Sequence, residues 1–416
     1  MAENVTVEEI IAAGERLKGI VSHTALSLNK NLSAQYNCKL YLKREDLQVV
    51  RSYKIRGAYN LMSSHPKEDL DKGVVCASAG NHAQGVAYSC HLMNVPGKIF
   101  MPSTTPKQKV KQVAMFGKNN VEVVLTGDTF DDAYEEAIKY SNEHNKLFIH
   151  PFDDKKIIEG QGTVGLEIFE DCKEKIDYLI VPIGGGGLSA GVSEYFKKFS
   201  PETKIIGVEP SGAPAMLESI KQNKVVSLNK IDKFVDGAAV KTVGELNFQI
   251  CSKNLTEIVL VPEGKVCSTI IKLYNEEAIV VEPAGSLSIA VLDFIAEKIK
   301  NKTVVCIVSG SNNDLARMDE IRERSLIYEG LKHYFIINFP QRAGALKEFV
   351  GEVLGPNDDI TRFEYTKKNI KEEGPALVGI ELKQKEDYDH LIERMKKKKI
   401  NYIEVNKDPN LFSYFL

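Results

Sequence analysis

The sequence lacks the features that mark several classes of protein. None of its apolar runs approaches the ~18 uncharged residues that a membrane-spanning helix requires, so we expect no membrane association. Residues 1–5 have neither a basic segment nor an apolar core, and we expect no secretory signal. Lys and Arg total 54 against 57 Asp and Glu, a net charge of −3, which gives no reason to expect nucleic acid as a partner.

Cysteine is scarce and shows no pairing pattern. There are seven cysteines, an odd number without any CxxC pair: Cys38, Cys76, Cys90, Cys172, Cys251, Cys267 and Cys306. Most of them stand in apolar runs such as residues 74–77 and 304–307. We therefore expect buried, reduced thiols in a cytoplasmic protein, with no disulfide framework and no structural zinc site.

The composition that remains is that of an ordinary globular protein. Apolar residues make up 43% and charged residues 27% of the 416 residues, which excludes disordered and collagen-like chains. At ~150 residues per domain, the length indicates two or three domains.

Short apolar runs alternate with helical patterns over residues 1–326. The predicted strands are residues 40–42, 73–77, 98–101, 121–125, 147–150, 178–181, 204–208 and 303–308, and segments between them, such as 129–140 and 157–171, are predicted helices. Several of these strands are almost wholly apolar, as is typical of strands covered on both faces. The alternation predicts an α/β domain with mainly parallel sheets.

The pattern changes at a charged stretch, residues 317–330, which is predicted to be a helical connector. We therefore predict two domains, residues 1–326 and 327–416. In the second, the predicted elements are a strand (334–339), a turn and helix (341–354), two strands (360–365 and 376–382), a helix (387–398) and a strand (402–405). This βαββαβ order is that of a ferredoxin-like α+β domain.

The segment 51–58 contains the first candidate site residue, Lys54, between a Ser-Tyr pair and Arg-Gly-Ala. Taken alone, Lys54 would be a solvated surface lysine, but packing explains a lysine in this setting poorly. A lysine that forms a Schiff base needs a lowered pKa, which burial and the neighbouring cations Arg51 and Arg56 would supply.

Two loops of small residues each follow a predicted strand. Residues 78–85, with the sequence SAGNHAQG, would let backbone N–H groups face an anion such as a carboxylate at a helix N-terminus. Residues 184–188, with the sequence GGGGL, would form a backbone nest for a phosphate. No GKS or GKT follows, so a Walker A loop is not favoured, and neither is a dinucleotide site of the GxGxxG type. Taken singly, each loop is also compatible with a plain turn or hinge.

An imine-forming lysine, a phosphate cradle and a carboxylate loop together describe a pyridoxal phosphate site for an amino acid. On these blocks the chain closely resembles the biosynthetic threonine dehydratases, or threonine ammonia-lyases, of the tryptophan-synthase-β-like (fold type II) group. The resemblance covers essentially the whole chain, with further blocks at 150–154, 159–163, 282–285 and 308–312. It implies a two-subdomain catalytic domain, the smaller subdomain at roughly residues 50–150, followed by an ACT-like regulatory domain.

The resemblance also implies a role for each cofactor contact. Lys54 would hold pyridoxal phosphate covalently and later take the substrate α-proton. Asn81 would hydrogen-bond the ring hydroxyl oxygen, Ser309 would face the pyridine nitrogen as a neutral partner, and Tyr53 would pack beside the ring. The phosphate would bind the backbone of Gly184, Gly185, Gly186, Gly187 and Leu188.

The substrate contacts implied in the same way are Ser78, Ala79, Gly80 and His82. For His82 a packing or polar supporting role is favoured over acid–base chemistry. Glu282 either faces the cofactor edge or caps a helix, and both interpretations stay open. No metal ligand set is predicted, and the sequence does not decide whether backbone carbonyls bind a monovalent cation.

The implied reaction is β-elimination of L-threonine to 2-oxobutanoate and ammonia, the first step of isoleucine biosynthesis, with L-serine as a poorer substrate. Serine racemases share the fold but carry a serine where this chain has Ala79, and a second metal-binding carboxylate where it has Ala215 after Glu209. Both departures favour elimination. The alternatives kept open are a serine dehydratase or racemase and a non-catalytic amino-acid sensor.

Residues 339–346, with the sequence FPQRAGAL, resemble the ligand loop of ACT-like domains. The resemblance implies that isoleucine inhibits through this domain, with valine as a second effector. The alternative is a purely structural oligomerisation domain. We expect a cytoplasmic homo-oligomer, with a tetramer favoured.

Overall fold

The computed structural model describes residues 5–365 and 372–408. Met1 to Asn4, used for the signal prediction, and residues 366–371 and 409–416 of the predicted second domain lie outside the described residues. The described chain divides into two compact units, residues 5–263 with 273–314, and residues 264–272 with 315–365 and 372–408. Across these residues, every helix is too short or too polar to cross a membrane.

The first unit contains two sheets and the helices that cover them. Its strands are β1 (Leu26–Leu28), β2 (Lys39–Arg44), β3 (Val74–Ala77), β4 (Gly97–Met101), β5 (Val121–Leu125), β6 (Leu147–Phe148), β7 (Tyr178–Pro182), β8 (Lys204–Pro210), β9 (Glu257–Val261) and β10 (Thr303–Val308). Its helices are α1 (Val7–Leu17), α2 (Lys30–Tyr36), α3 (Lys54–Ser63), α4 (Lys67–Asp71), α5 (Asn81–Met93), α6 (Lys107–Gly117), α7 (Phe130–Glu143), α8 (Lys155–Asp171), α9 (Gly187–Phe199), α10 (Ala215–Lys221), α11 (Glu245–Asn254), α12 (Glu263–Glu277, whose residues 264–272 belong to the second unit), α13 (Pro283–Ala290) and α14 (Leu292–Ile299).

Both sheets of the first unit are parallel, except for one pair of strands. The larger sheet has the order β1-β2-β10-β7-β8-β9, in which only β1 and β2 are antiparallel, and the smaller has the order β5-β4-β3-β6. The α/β prediction is confirmed, and each predicted strand is present. The strands β1 and β9 were not predicted, because both lie at the sheet edges and are only partly buried, which weakens their apolar signal.

Glycines let three helices of this unit pack backbone against backbone. A Cβ on Gly160 of α8 would lie 2.5 Å from the Arg56 carbonyl oxygen and 2.7 Å from Gly57 Cα, both on α3. A Cβ on Gly191 of α9 would lie 2.6 Å from the Gly162 nitrogen of α8. Any larger side chain at these contacts would separate the helices, so the glycines fix α3 and α9 against α8.

A buried ion cluster also anchors α3. The Arg56 guanidinium donates to Glu45 from Nε and Nη2, both at 2.8 Å, and to Glu167 from Nη1 at 2.7 Å and Nη2 at 2.9 Å. Lys43 donates to Glu167 from the other side at 2.5 Å. Because the carboxylates are matched by the two cations, α3 is tied to the end of β2 and to α8 through charge-assisted hydrogen bonds.

The second unit has the predicted ferredoxin-like order. Its helices are α15 (Met318–Tyr328), α16 (Ala345–Glu352) and α17 (Asp387–Lys397), and its strands are β11 (Lys332–Pro340), β12 (Asp359–Tyr365), β13 (Glu373–Glu381) and β14 (Tyr402–Glu404). The sheet is antiparallel in the order β12-β13-β11-β14, with Phe335, Val378 and Leu391 in its core. The domain boundary proposed at residue 327 falls inside α15.

Candidate active site

One cavity of the first unit, with a volume of about 730 Å³, contains most of the sequence-predicted site residues. Segments that directly follow β3, β6, β7 and β10 line it, as expected for a ligand site at the carboxyl ends of parallel strands. The predicted residues in its lining are Tyr53, Lys54, Ser78, Ala79, Gly80, Asn81, His82, Gly184, Gly185 and Ser309. Gly186, Gly187 and Leu188 are buried at the start of α9.

Lys54 is the first residue of α3 and projects its amine into this cavity. The Nζ atom donates a hydrogen bond to the Pro151 carbonyl oxygen at 2.7 Å and lies 5.6 Å from the centre of the Tyr53 ring. Burial lowers the pKa of Lys54 to about 8, against the charge of Glu282, which acts to raise it. A substantial fraction of this amine is therefore neutral near pH 8 and able to act as a nucleophile or a base.

The predicted contribution of neighbouring cations to this pKa is wrong. Burial alone lowers the pKa of Lys54, and neither Arg51 nor Arg56 is among the groups that shift it. Residues two apart on a helix point in nearly opposite directions, so Arg56 turns away from the cavity and into the ion cluster with Glu45 and Glu167.

Asn81, Glu282 and Asn312 form a chain of hydrogen bonds along the cavity wall. Asn81 Nδ2 donates to Glu282 Oε1 at 2.6 Å, and Asn312 Nδ2 donates to Asn81 Oδ1 at 2.6 Å. Burial and the charge of Asp236 raise the pKa of Glu282 to about 7. Glu282 occupies the N-cap position of α13 but makes no capping bond, so its side chain faces the cavity and the alternative of a capping carboxylate is wrong.

Two histidines of the site are held neutral. His82 Nε2 bonds to the Ile149 carbonyl oxygen at 2.8 Å, and burial, with the nearby charge of Lys54, lowers the pKa of His82 to about 3. His150 Nδ1 accepts from the backbone N–H groups of Phe152 at 3.2 Å and Asp153 at 2.7 Å, and burial lowers its pKa to about 4. These contacts agree with a polar supporting role for His82.

The glycine loop reaches the cavity directly before α9. Gly186, with φ of +98°, is the N-cap of α9, and as a glycine it has no side chain with which to cap the first N–H groups of the helix. A Cβ on Gly185 would lie 2.2 Å from Phe152 Cγ. The side chain of Asn247 donates to the carbonyl oxygens of Gly185 at 2.8 Å and Phe152 at 3.0 Å, which ties the loop to the segment after β6.

Backbone contacts join the Lys54 segment to the Ser309 segment. The Tyr53 N–H donates to the Ser309 carbonyl oxygen at 3.3 Å, and Ser52 pairs with Gly310 in an isolated antiparallel bridge. Ser309 is 3% exposed and follows β10 directly. The two segments therefore hold Lys54 and Ser309 as parts of one rigid wall.

The loop before α5 remains open toward the cavity. Ser78 Oγ accepts from the Gly80 N–H at 3.2 Å, and a Cβ on Gly80 would have no heavy atom within 4 Å. Gly80 is the N-cap of α5 and makes no side-chain capping bond. The N-terminus of α5 can therefore accept an anion such as a carboxylate.

Two salt bridges cross the cavity mouth within the first unit. Lys109 on α6 lies 2.5 Å from Asp236, and Lys241 lies 2.8 Å from Asp131 on α7. Asp236 and Lys241 belong to the segment between α10 and α11. The helices of the smaller sheet are thus linked by charge to a loop of the larger sheet.

The site residues fit pyridoxal phosphate. A buried lysine of lowered pKa can bind an aldehyde, and an uncapped helix N-terminus with glycines packed too closely for any Cβ can bind a phosphate. Sequence reasoning missed Pro151, Asn247 and Asn312 as contributors. The blocks at 150–154 and 308–312 signalled two of them, but Asn247 has no local signal because it reaches the site only through the tertiary fold.

Glu209 is the carboxylate that the sequence analysis compared with a metal ligand of racemases. Its two carboxylate oxygens accept the backbone N–H groups of Met216 at 2.7 Å and Leu217 at 2.9 Å, at the start of α10. Burial raises the pKa of Glu209 to about 7. The side chain therefore serves the backbone of α10, and Ala215 beside it provides no second ligand.

Comparisons with known proteins agree with this geometry. Residues 18–310 match the family described as pyridoxal-phosphate dependent enzyme, and residues 323–415 match the C-terminal regulatory domain of threonine dehydratase. A protein of Halalkalibacterium halodurans named biosynthetic L-threonine dehydratase IlvA is 64% identical over 412 residues, which cover 99% of each chain.

Solved structures share the fold over about three quarters of the chain. The processed threonine deaminase isoform 2 of Solanum lycopersicum is 41% identical with a TM-score of 0.73, over 76% of this chain and 87% of that one. Maize serine racemase is 28% identical with a TM-score of 0.72, over 78% of this chain and 99% of that one. Because both activities occur on this fold, the fold alone does not decide between them.

Proposed function

The chain belongs to the biosynthetic threonine dehydratases, which are pyridoxal-phosphate-dependent enzymes, and from this we propose that the cavity at Lys54 converts L-threonine into 2-oxobutanoate and ammonia. The observation that carries the proposal is the buried Lys54 amine, with its lowered pKa, in the same cavity as an uncapped glycine loop. The reaction would be the first step of isoleucine biosynthesis and would take place in the cytoplasm.

Several residues in and beside the cavity at Lys54 would hold the cofactor. Lys54 would bind it covalently, Ser309 would face the pyridine nitrogen, and Asn81 would donate to the ring hydroxyl oxygen. Tyr53 would pack beside the ring. The backbone of the loop and first turn would bind the phosphate through Gly184, Gly185, Gly186, Gly187 and Leu188. When bound, the cofactor supplies an electron sink that acidifies the α-hydrogen of an amino acid.

The remaining steps belong to side chains of the cavity. The substrate carboxylate would bind at the N-terminus of α5, at Ser78, Ala79 and Gly80, while neutral His82 keeps this segment against Ile149. The Lys54 amine would take the α-proton, because its lowered pKa leaves it partly unprotonated near neutral pH.

The methyl side chain of Ala79 favours elimination over racemisation. A racemase needs a second acid–base group on the opposite side of the substrate, and a methyl group transfers no proton. L-Serine should be a poorer substrate than L-threonine, because it lacks one methyl group, and it should still react, because one methyl group in an apolar pocket contributes only ~1–3 kcal/mol to discrimination. D-Serine or D-threonine formed by the unmodified protein would contradict this assignment.

Borohydride reduction of the purified protein, followed by peptide mass mapping, tests the central proposal. We expect the cofactor label on Lys54, and we expect Lys54→Ala to be folded, unlabelled and unable to form 2-oxobutanoate. The matched control is Lys72→Ala, which removes a 48% exposed lysine paired with Asp69 and should keep both label and turnover. A label on another side chain would refute the proposal.

For the regulatory domain, proposed as residues 327–416, we propose isoleucine as an inhibitor and valine as a second effector. The supporting feature is the open turn from β11 into α16, where Gly344 has φ of +82° and a Cβ added to it would have no heavy atom within 4 Å. Isoleucine should lower the turnover of the full chain but not of a chain without residues 330–416. Inhibition that survives the deletion would place the effector elsewhere.

We also propose a homo-oligomer, with a tetramer favoured. In the first unit, Asn29 and Asn31 both donate to Glu277, which joins the β1–α2 region to the end of α12. The large apolar side chains exposed on β1, α12, α14 and their connections are Leu28, Tyr274, Val280 and Phe294, with exposed fractions of 47%, 60%, 54% and 46%. Light scattering of Tyr274→Lys should show smaller particles than the unmodified protein, and an unchanged mass would contradict this surface as the contact.

A further inference from the structure

We propose that Asn312 is a positioning residue for the cofactor, which acts by fixing the orientation of the Asn81 side-chain amide. This inference rests on the proposed contact between Asn81 and the ring hydroxyl of pyridoxal phosphate. Asn312 belongs to the sequence block 308–312, but that block gives it no role, and the inference comes from the order of its hydrogen bonds.

The starting point is the carbonyl oxygen of Val50, which can only accept a hydrogen bond. It accepts from Asn312 Nδ2 at 2.9 Å. If the Asn312 amide were reversed, its own oxygen would face the Val50 oxygen and two acceptors would oppose each other. The backbone carbonyl therefore determines which end of the Asn312 side chain carries the NH2 group toward Val50.

The same NH2 group determines the orientation of Asn81. The second hydrogen of Asn312 Nδ2 is donated to Asn81 Oδ1 at 2.6 Å. Asn81 must therefore present its oxygen to Asn312 and its NH2 group in the other direction, where one hydrogen reaches Glu282 Oε1 at 2.6 Å. The other hydrogen of Asn81 remains available to an acceptor in the cavity.

Asn312 is held firmly enough to perform this task. The preceding residue, Ser311, donates its N–H to the Arg51 carbonyl oxygen at 2.9 Å, and Gly310 pairs with Ser52. Asn312 Oδ1 is buried and makes no hydrogen bond among the described residues, so no competing contact pulls the amide into another orientation. The donor toward the cofactor is thus set by a backbone carbonyl two side chains away.

The test is a double-mutant cycle on cofactor binding to cofactor-free protein. Asn312→Asp keeps the size of the side chain but removes its donor, Asn81→Ala removes the proposed cofactor contact, and the double variant combines them. Two readouts are measured for each: the dissociation constant of pyridoxal phosphate and the absorbance maximum of the bound cofactor. Asn301→Asp is the matched control, because it makes the same change at an exposed asparagine outside the cavity lining.

We expect Asn312→Asp to raise the dissociation constant about 10- to 100-fold and to shift the absorbance maximum. The double variant should bind within about twofold of Asn81→Ala, because both changes remove the same donor. Asn301→Asp should resemble the unmodified protein. Asn312→Ala, which removes the donor without adding charge, should weaken binding in the same direction, with circular dichroism showing that each variant is folded.

Two results would overturn the inference in different ways. If Asn81→Ala weakens binding and both Asn312 variants do not, or if the losses add in the double variant, Asn312 does not act through Asn81. If Asn81→Ala itself leaves affinity and absorbance unchanged, the proposed contact of Asn81 with the cofactor fails, and the positioning role fails with it.

Discussion

Substitution of Gly185 by alanine should weaken cofactor binding without unfolding the protein. A Cβ at this position would lie 2.2 Å from Cγ, 2.4 Å from Cδ1 and 2.5 Å from Cδ2 of Phe152. Carbon atoms in contact are normally ~3.5–4.0 Å apart, so the ring or the loop must move by more than about 1 Å.

The ring has little room to move. It meets His150 edge-on, with centroids 5.0 Å apart, and the Phe152 carbonyl oxygen accepts from Asn247. The loop should therefore yield, and with it the N–H groups proposed to bind the phosphate. Overpacking of this kind costs ~1–3 kcal/mol, which corresponds to a ~5- to 150-fold rise in the dissociation constant if it falls on binding.

The assay is titration of cofactor-free protein with pyridoxal phosphate, followed by absorbance and by the fluorescence of the bound cofactor. Because the protein has no tryptophan, tryptophan emission does not add to the measured cofactor fluorescence. Gly14→Ala on α1 is the matched control, because its Cβ would lie 3.6 Å from Leu166 Cδ1, an ordinary contact. A Gly185→Ala protein that binds within twofold of the unmodified protein would refute the reasoning.

Three further predictions concern the same unit. Arg56→Ala leaves two buried carboxylates, Glu45 and Glu167, with Lys43 as their one remaining cation in the cluster, and it should lower the free energy of unfolding in urea by ~3–5 kcal/mol. A loss below ~1 kcal/mol would contradict the cluster's anchoring role. The rate of cofactor attachment should rise with pH around a midpoint of about 8, the pKa of Lys54, and Glu282→Gln should move this midpoint to lower pH because the carboxylate charge raises that pKa; an upward shift would show that the carboxylate acts otherwise. The double variant Lys109→Ala/Lys241→Ala removes two partly exposed salt bridges of ~0–1 kcal/mol each, or at most ~2 kcal/mol together, so KM should rise by less than about thirtyfold at low salt and the difference should vanish at high salt; a difference that persists at high salt would rule out a charge effect.

The sequence predicts most of the architecture because its signals there are local. Buried parallel strands such as β7 and β10 are continuous apolar runs, and the βαββαβ order follows from alternating patterns. Edge strands carry weaker patterns, which is why β1 and β9 were not predicted.

The residues of the candidate site also divide into those with a local sequence signal and those without one. Lys54 and the glycine loop stand out in the sequence, because a lysine and a run of glycines at such positions would destabilise a fold that had no use for them. Glu282 and Asn247 acquire their roles only when distant segments meet, so the sequence left the first undecided and gave no sign of the second. Arg56 was interpreted by its distance along the chain, whereas its direction on the helix decides its partners.

The glycine contacts of α8 make that helix a spacer of fixed width between two anchoring points of one ligand. Lys54 starts the helix on one side of it, and the phosphate loop starts the helix on the other. Since main chain touches main chain at Gly160 and Gly191, this span does not depend on the rotamer of any side chain. A methyl group added at Gly160 or Gly191, remote from the chemistry, would increase the distance between Lys54 and the phosphate loop. Every catalytic group would remain, but the two anchoring points would no longer fit one ligand.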